Sequence, residues 1–281
     1  MNTPMARLMR CDLRYLSFIF GIFSLLATQT VAEDSRLTRL DNGDDGRQWE
    51  AVGRIDIGGT GFCTGALISS NLVLTAAHCL FDRDTGAAVD IEDVEFLAGW
   101  RDGRASAYRS VRRVVIHPEY DFDHDVTNER VRNDIALLEL HHPINNARVI
   151  PFPTDGQPGR NDKIGLVSYA RDRAEAPSLQ EICTVLGRDE GVLVMSCDVN
   201  FGASGSPVFS FKNGEPHIVS VVSAMAEMDG QQVALGAQLR TALPMMREKL
   251  QPAYESLAEK RLFSSGKDRQ TGAKFSSSSG N

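Results

Sequence analysis

Cys63-Thr64-Gly65-Ala66-Leu67-Ile68-Ser69-Ser70-Asn71-Leu72-Val73-Leu74-Thr75-Ala76-Ala77-His78-Cys79 carries the reading of the fold. Two runs rich in apolar residues, 65–69 and 72–75, are separated by Ser70 and Asn71, which favour turns. Each run is too short for a helix and has the length of a strand. The texture continues on both sides: residues 52–57, 94–98, 111–116 and 135–140 read as strands, and so, further on, do 163–170, 178–184, 192–197, 206–211, 217–224 and 232–239. Many short strands with turn signals between them predict an all-β sandwich or barrel. Pro143, Pro151, Pro153 and Pro158 fall between the two groups of strands and predict an extended connector. Only the end reads as helical, with Leu243, Met246, Leu250, Tyr254 and Leu257 recurring at three or four residues, interrupted by Pro252.

Residues 1–32 are expected to address the chain rather than to fold. Arg7, Arg10 and Arg14 form a basic opening, residues 15–27 form an apolar run, and Thr30-Val31-Ala32 offers small residues at a cleavage site. The run is shorter than the ~20 residues a membrane span needs. A cleaved signal peptide is therefore the expectation, with an uncleaved anchor as its competitor. Removing three arginines and one aspartate leaves 27 basic against 36 acidic residues. That balance disfavours nucleic acid or an anionic membrane as the main partner. The remaining 249 residues are enough for one large β-domain or two small barrels. An acidic, polar lead-in (33–48) precedes the strands, and a Ser-rich tail (263–281), with little to bury, is expected to be disordered.

Without Cys11, four cysteines remain: Cys63, Cys79, Cys183 and Cys197. Four allow three connectivities. The local pairing would close two loops of similar length, each contributing about 3 kcal/mol in the chain-entropy description. An exported chain permits such bonds. A four-cysteine zinc site is disfavoured, because neither pair has the two-to-four-residue spacing these sites use. No metal or cofactor is expected.

Three short strings carry chemistry: Thr75-Ala76-Ala77-His78-Cys79, Asn133-Asp134-Ile135-Ala136-Leu137-Leu138 and Gly202-Ala203-Ser204-Gly205-Ser206-Pro207. They supply a base, a carboxylate to orient it and a serine on a glycine-rich turn, in the order His, Asp, Ser. A serine hydroxyl is a weak nucleophile at neutral pH, so Ser204 needs a base, and an imidazole, ordinarily titrating near 6.5, suits that role. Asp134 would hold the His78 ring in the right tautomer. The N–H groups of Gly202 and Ser204 would face a developing oxyanion. By contrast, His117, His124, His141, His142 and His217 have no partner string and are expected at the surface or in loops. Asp121-Phe122-Asp123-His124-Asp125 resembles the opening of a calcium loop, but Val126 stands where Gly is needed and Arg132 where Glu is.

These strings resemble those of the chymotrypsin/trypsin superfamily of serine proteases. The resemblance implies two six-stranded antiparallel β-barrels with a C-terminal helix: residues 49–150 with His78 and Asp134, and 151–262 with Ser204. It also implies a Cys63–Cys79 disulfide beside the catalytic histidine, and a protein or peptide as substrate. Ser206 before Pro207 is closer to the bacterial, glutamyl-endopeptidase-like branch. Ala203 replaces the aspartate that, in the animal enzymes, pairs with a newly cut N-terminus. Activity without that cleavage is therefore expected. Asp198 stands six residues before Ser204, the offset of the pocket aspartate that would pair with a substrate Arg or Lys; a plain turn residue is the alternative. Ser223, with Ser220 as its rival in register, would support Asp134 and line the pocket. A monomeric serine endopeptidase, secreted or periplasmic, is expected, with a catalytically inactive binding protein as the competing reading.

Overall fold

The protein is described by a computed structural model covering residues 37–122, 125–211 and 214–250. The expected signal peptide and Ser-rich tail, most of the helical reading beyond 250, and His124 lie outside these residues.

The first group of strands is β2 (Val52–Ile57), β3 (Gly61–Ser69), β4 (Leu72–Thr75), β5 (Val94–Ala98), β6 (Ala107–Ile116) and β7 (Ala136–Leu140). They close into an antiparallel barrel in the order β2-β3-β4-β7-β6-β5. Inward apolar residues fill it: β4 and β7 are buried along their whole lengths, and β6 alternates. Register shifts at Leu67/Ser69 and Val111/Arg113 supply the local bends that closure requires. The second group is β8 (Lys163–Ala170), β9 (Arg173–Asp189), β10 (Val192–Met195), β11 (Pro207–Ser210), β12 (His217–Met228) and β13 (Gln231–Gln238). Its order is β9-β10-β13-β12-β11-β8, closed by β8 pairing with β9. Asp229-Gly230, both at left-handed φ, make the tight β12–β13 hairpin turn. The expected architecture of two six-stranded antiparallel barrels is therefore present. Helix α2 (Leu239–Leu250) follows and buries Leu243 and Met246.

Two elements go beyond the sequence reading. The polar lead-in holds a short strand, β1 (Thr38–Arg39), paired with β9, and Leu40 behind it is buried. Helix α1 (Asn128–Asn133) forms in a stretch with little apolar periodicity, with the Thr127 hydroxyl accepting from Arg130 N at 3.2 Å as its N-cap. The proline-rich connector runs along both barrels: Phe152 N donates to Leu67 O at 2.9 Å, and Ile218 N to Pro153 O at 2.9 Å.

One core cluster draws on both barrels. Trp49, just before β2, packs at 4.9 Å from Phe209 of β11 and 5.9 Å from Phe152 of the connector, while Phe152 and Phe209 lie 4.8 Å apart between ring centroids. Phe209 is fully buried. Phe209→Ala is expected to cost about 3–5 kcal/mol by loss of burial and a residual cavity. Denaturant unfolding reads this directly, and a loss below about 1 kcal/mol would contradict a shared core.

Candidate active site

His78 lies on a 3-10 turn, Ala77–Leu80, at the end of β4. The local geometry is fixed twice. Cys79 is bonded to Cys63 of β3, and Thr75 Oγ1 donates to Thr64 O at 2.8 Å. Cys183 and Cys197 form the second disulfide. Cys63, His78 and Cys79 lie close enough to suggest metal ligands, but both sulfurs are committed to the disulfide.

Asp134 follows α1 and is completely buried. Such a carboxylate needs hydrogen-bond donors. Three reach it: His78 N at 2.8 Å, His78 Nδ1 at 2.6 Å and Ser223 Oγ at 2.5 Å. Burial is the largest single influence on its pKa and pushes it upward. The charge of His78, with the bonds from its ring, from Ser223 and from the His78 amide, outweighs burial and holds the carboxyl below its ordinary value. Half-buried Tyr120 lies nearby, its hydroxyl pushed up to about 12 by burial first and then by the charge of Asp134.

Ser204 sits on the turn between β10 and β11. Gly202 and Gly205 have φ of 95° and 75°, in the left-handed region. A Cβ on Gly205 would lie 2.1 Å from Thr75 Oγ1 and 2.9 Å from Ala76 N, so only glycine lets this turn approach the histidine loop. Thr64 fastens it: Thr64 N donates to Ser204 O at 2.9 Å, and Thr64 Oγ1 donates to Gly202 O at 2.9 Å. Around the turn, Ala203 N, Gly205 N and Ser206 N donate to Asn200 O, Val222 O and Ala203 O. Gly202 N and Ser204 N donate to nothing among the described residues. Two amides flanking one residue are thus available to an incoming oxygen. No hydrogen bond joins Ser204 Oγ to His78 Nε2 among the described residues. Such contacts commonly tighten only when substrate is bound.

Other expected site residues fall differently. Ser223 is the serine that reaches Asp134; its rival Ser220 donates to Ala237 O at 2.8 Å. Asp198 is exposed rather than forming a buried pocket base. It lies on an extended run in which Cys197 and Val199 face the core and Asp198 and Asn200 face solvent, and its amide donates to Gln180 Oε1 at 2.8 Å. Half-buried Met225 packs against the cluster containing Val199, Ala203 and Val222. His117 is in a loop, as expected, but buried, and burial lowers its pKa. His141 and His142 are exposed, and His217 Nδ1 lies 2.6 Å from Asp155. Thr64 and Thr75 are the positioning residues the sequence reading passed over. Their signal is a threonine inside a buried strand, whose hydroxyl must find a partner.

A family model described as Trypsin matches residues 42–238. Trypsin of Phaedon cochleariae is 34% identical over 100 residues, covering 34% of this chain and 35% of that protein. Serine protease 56 of Mus musculus is 31% identical over 96 residues, 34% of this chain and 14% of the relative. The matches thus span about a third or less of these curated relatives. Among solved structures, a Glu endopeptidase in complex with MPD superposes with a TM-score of 0.62 at 17% identity, over 77% of this chain and 97% of its own; at that identity it speaks for the fold alone. The family match covers well over half of the chain and agrees with the two barrels described above, so the chain belongs to the trypsin-like serine protease family.

Proposed function

We propose that this chain is an exported serine endopeptidase whose nucleophile is Ser204, with His78 as base and Asp134 as its orienting carboxylate. The observation that carries the reading is buried Asp134 gripping both the ring and the amide of His78, beside a turn that Thr64 fastens next to it. His78 Nε2 takes the proton of Ser204 as its Oγ attacks the substrate carbonyl. The oxygen becomes negative in front of Gly202 N and Ser204 N, which need no reorganisation to receive it. The imidazolium, stabilised by Asp134, returns its proton to the leaving amine. Water, deprotonated by the same ring, then cleaves the acyl-enzyme.

Export, to the cell exterior or periplasm, rests on residues 1–32 and the two disulfides. Placement in the bacterial, glutamyl-endopeptidase-like branch rests on Ser206 before Pro207, while the matched curated proteins named above are animal ones. Activity without a trypsin-type cleavage rests on Ala203, which is apolar and buried.

A preference for Arg or Lys through Asp198 would use a solvated carboxylate, which discriminates weakly. Asp198→Ser is therefore expected to change the ratio of cleavage after Arg or Lys to cleavage after apolar residues by less than about fivefold. A change above a hundredfold would restore Asp198 as a pocket base. The proposed activity itself is tested by incubating the disulfide-intact chain with an unfolded protein substrate and sequencing new N-termini. Their absence, from folded and processed protein, would overturn it.

A further inference from the structure

Phe201 is a large apolar residue left 41% exposed, directly before Gly202. Two guanidiniums stack on its ring: Arg83 at 4.6 Å and Arg171 at 5.1 Å from the centroid. Arg171 N also donates to Phe201 O at 2.7 Å, fixing the ring's base to the β8–β9 turn. Neither guanidinium has a carboxylate partner among the described residues. Of the acids next to them in sequence, Asp82 and Asp172 have other partners, and exposed Asp84 pairs with neither guanidinium. Asp82 accepts from Thr85 N, Thr85 Oγ1 and Asp84 N, and Asp172 accepts from Arg173. A third arginine, Arg54, lies 4.4 Å over the neighbouring Phe62 ring, but Asp56 and Glu175 neutralise it. Two guanidiniums with no carboxylate partner among the described residues thus converge on one exposed ring next to Gly202.

We propose that Arg83 and Arg171 on Phe201 form a subsite for an acidic side chain of the substrate, one or two residues after the scissile bond. The assignment rests on the protease reading above. Guanidiniums present several N–H donors in a plane and match a carboxylate in geometry and charge, and stacking on Phe201 holds them in place. The side of the scissile bond follows from position. Arg83 lies on the loop that continues from His78, the group that must face the leaving nitrogen, and Arg171 lies on the turn after β8. Val199 and Ala203, the alternate residues on either side of Phe201, are buried in the core of the second barrel, with Met225 packed against them. Phe201 is not part of that cluster. The substrate class is thus a peptide with Asp or Glu just beyond the cut.

The test is digestion of a proteome-derived peptide library by the processed chain, reading residue frequencies around every cut. Asp and Glu are expected to exceed Lys and Arg at the first or second position after the cut by about tenfold at low salt. Raising the salt should shrink that ratio, because both guanidiniums are exposed. In the Arg83→Gln/Arg171→Gln variant it should fall to within about twofold. Enrichment that is absent in the wild type, confined to the residue before the cut, or retained by the variant would overturn the subsite. A chain that cuts nothing would refute the protease reading separately. The subsite then stands or falls on binding of fluorescein-labelled hexaglutamate at low salt to Ser204→Ala protein. Equal binding with and without the two arginine substitutions would overturn it.

Discussion

Ser204→Ala is expected to lower kcat for peptide hydrolysis by about 10⁶-fold, the scale on which removing a triad nucleophile acts. The change deletes one oxygen and nothing that holds the turn. Thr64 N still finds Ser204 O, Thr64 Oγ1 still finds Gly202 O, and both glycines keep their φ. Because Ser204 is half-buried and its Oγ makes no hydrogen bond among the described residues, stability should change by no more than about 0.5 kcal/mol. Measuring kcat and thermal unfolding on the same preparation separates the two effects. A large loss of both would mean that Ser204 is structural, and an unchanged kcat would remove it from the chemistry.

Asp134→Asn is expected to cost about 10⁴-fold in kcat, with stability following a different pH course from the wild type. The carboxylate accepts from three donors, two of them from His78. Oδ1 accepts from the His78 amide and Oδ2 from both the His78 ring and Ser223 Oγ, so the single oxygen of an amide serves only one side, and its nitrogen would face either the His78 amide or the ring together with Ser223 Oγ. Facing the ring, it favours the tautomer that leaves no base directed at Ser204. The pH effect has a definite sign. The folded pKa of Asp134 is depressed, so its contribution to stability is present above the unfolded carboxylate value, about 3.9, and is lost as pH falls through the folded value. Wild-type stability should therefore decline over that acidic range more steeply than that of Asp134→Asn. Parallel acid limbs in urea unfolding would contradict the charged, buried state of Asp134.

Most of the strands were legible because each short apolar run is bounded by turn residues, and the structure keeps those runs, often lengthened. β9 is the main exception. It continues over 17 residues through Pro177 and Gly187, where sequence alone breaks a strand, because register shifts absorb both. β1 and α1 were invisible because neither carries a periodic apolar pattern; pairing with β9 makes one, and a threonine cap helps make the other. At the site, the His78–Asp134 pairing was readable from order and spacing. The choice between Ser223 and Ser220 was not, since a shift within β12 changes which serine faces Asp134, and that register depends on β13 and on an irregularity at Val222/Ala224. The exposure of Asp198 was not legible either: its offset from Ser204 suits a pocket residue and a turn residue alike, because an offset carries no information about which way an extended chain turns its side chains.

The most direct measurement is reaction of the folded, processed chain with a fluorophosphonate, followed by peptide mapping of the adduct. A single covalent adduct on Ser204, formed quickly at neutral pH, absent from Ser204→Ala and strongly slowed in His78→Ala, is the expected result. A folded chain with intact Cys63–Cys79 that remains unlabelled, or that is labelled equally well without His78, would contradict the triad.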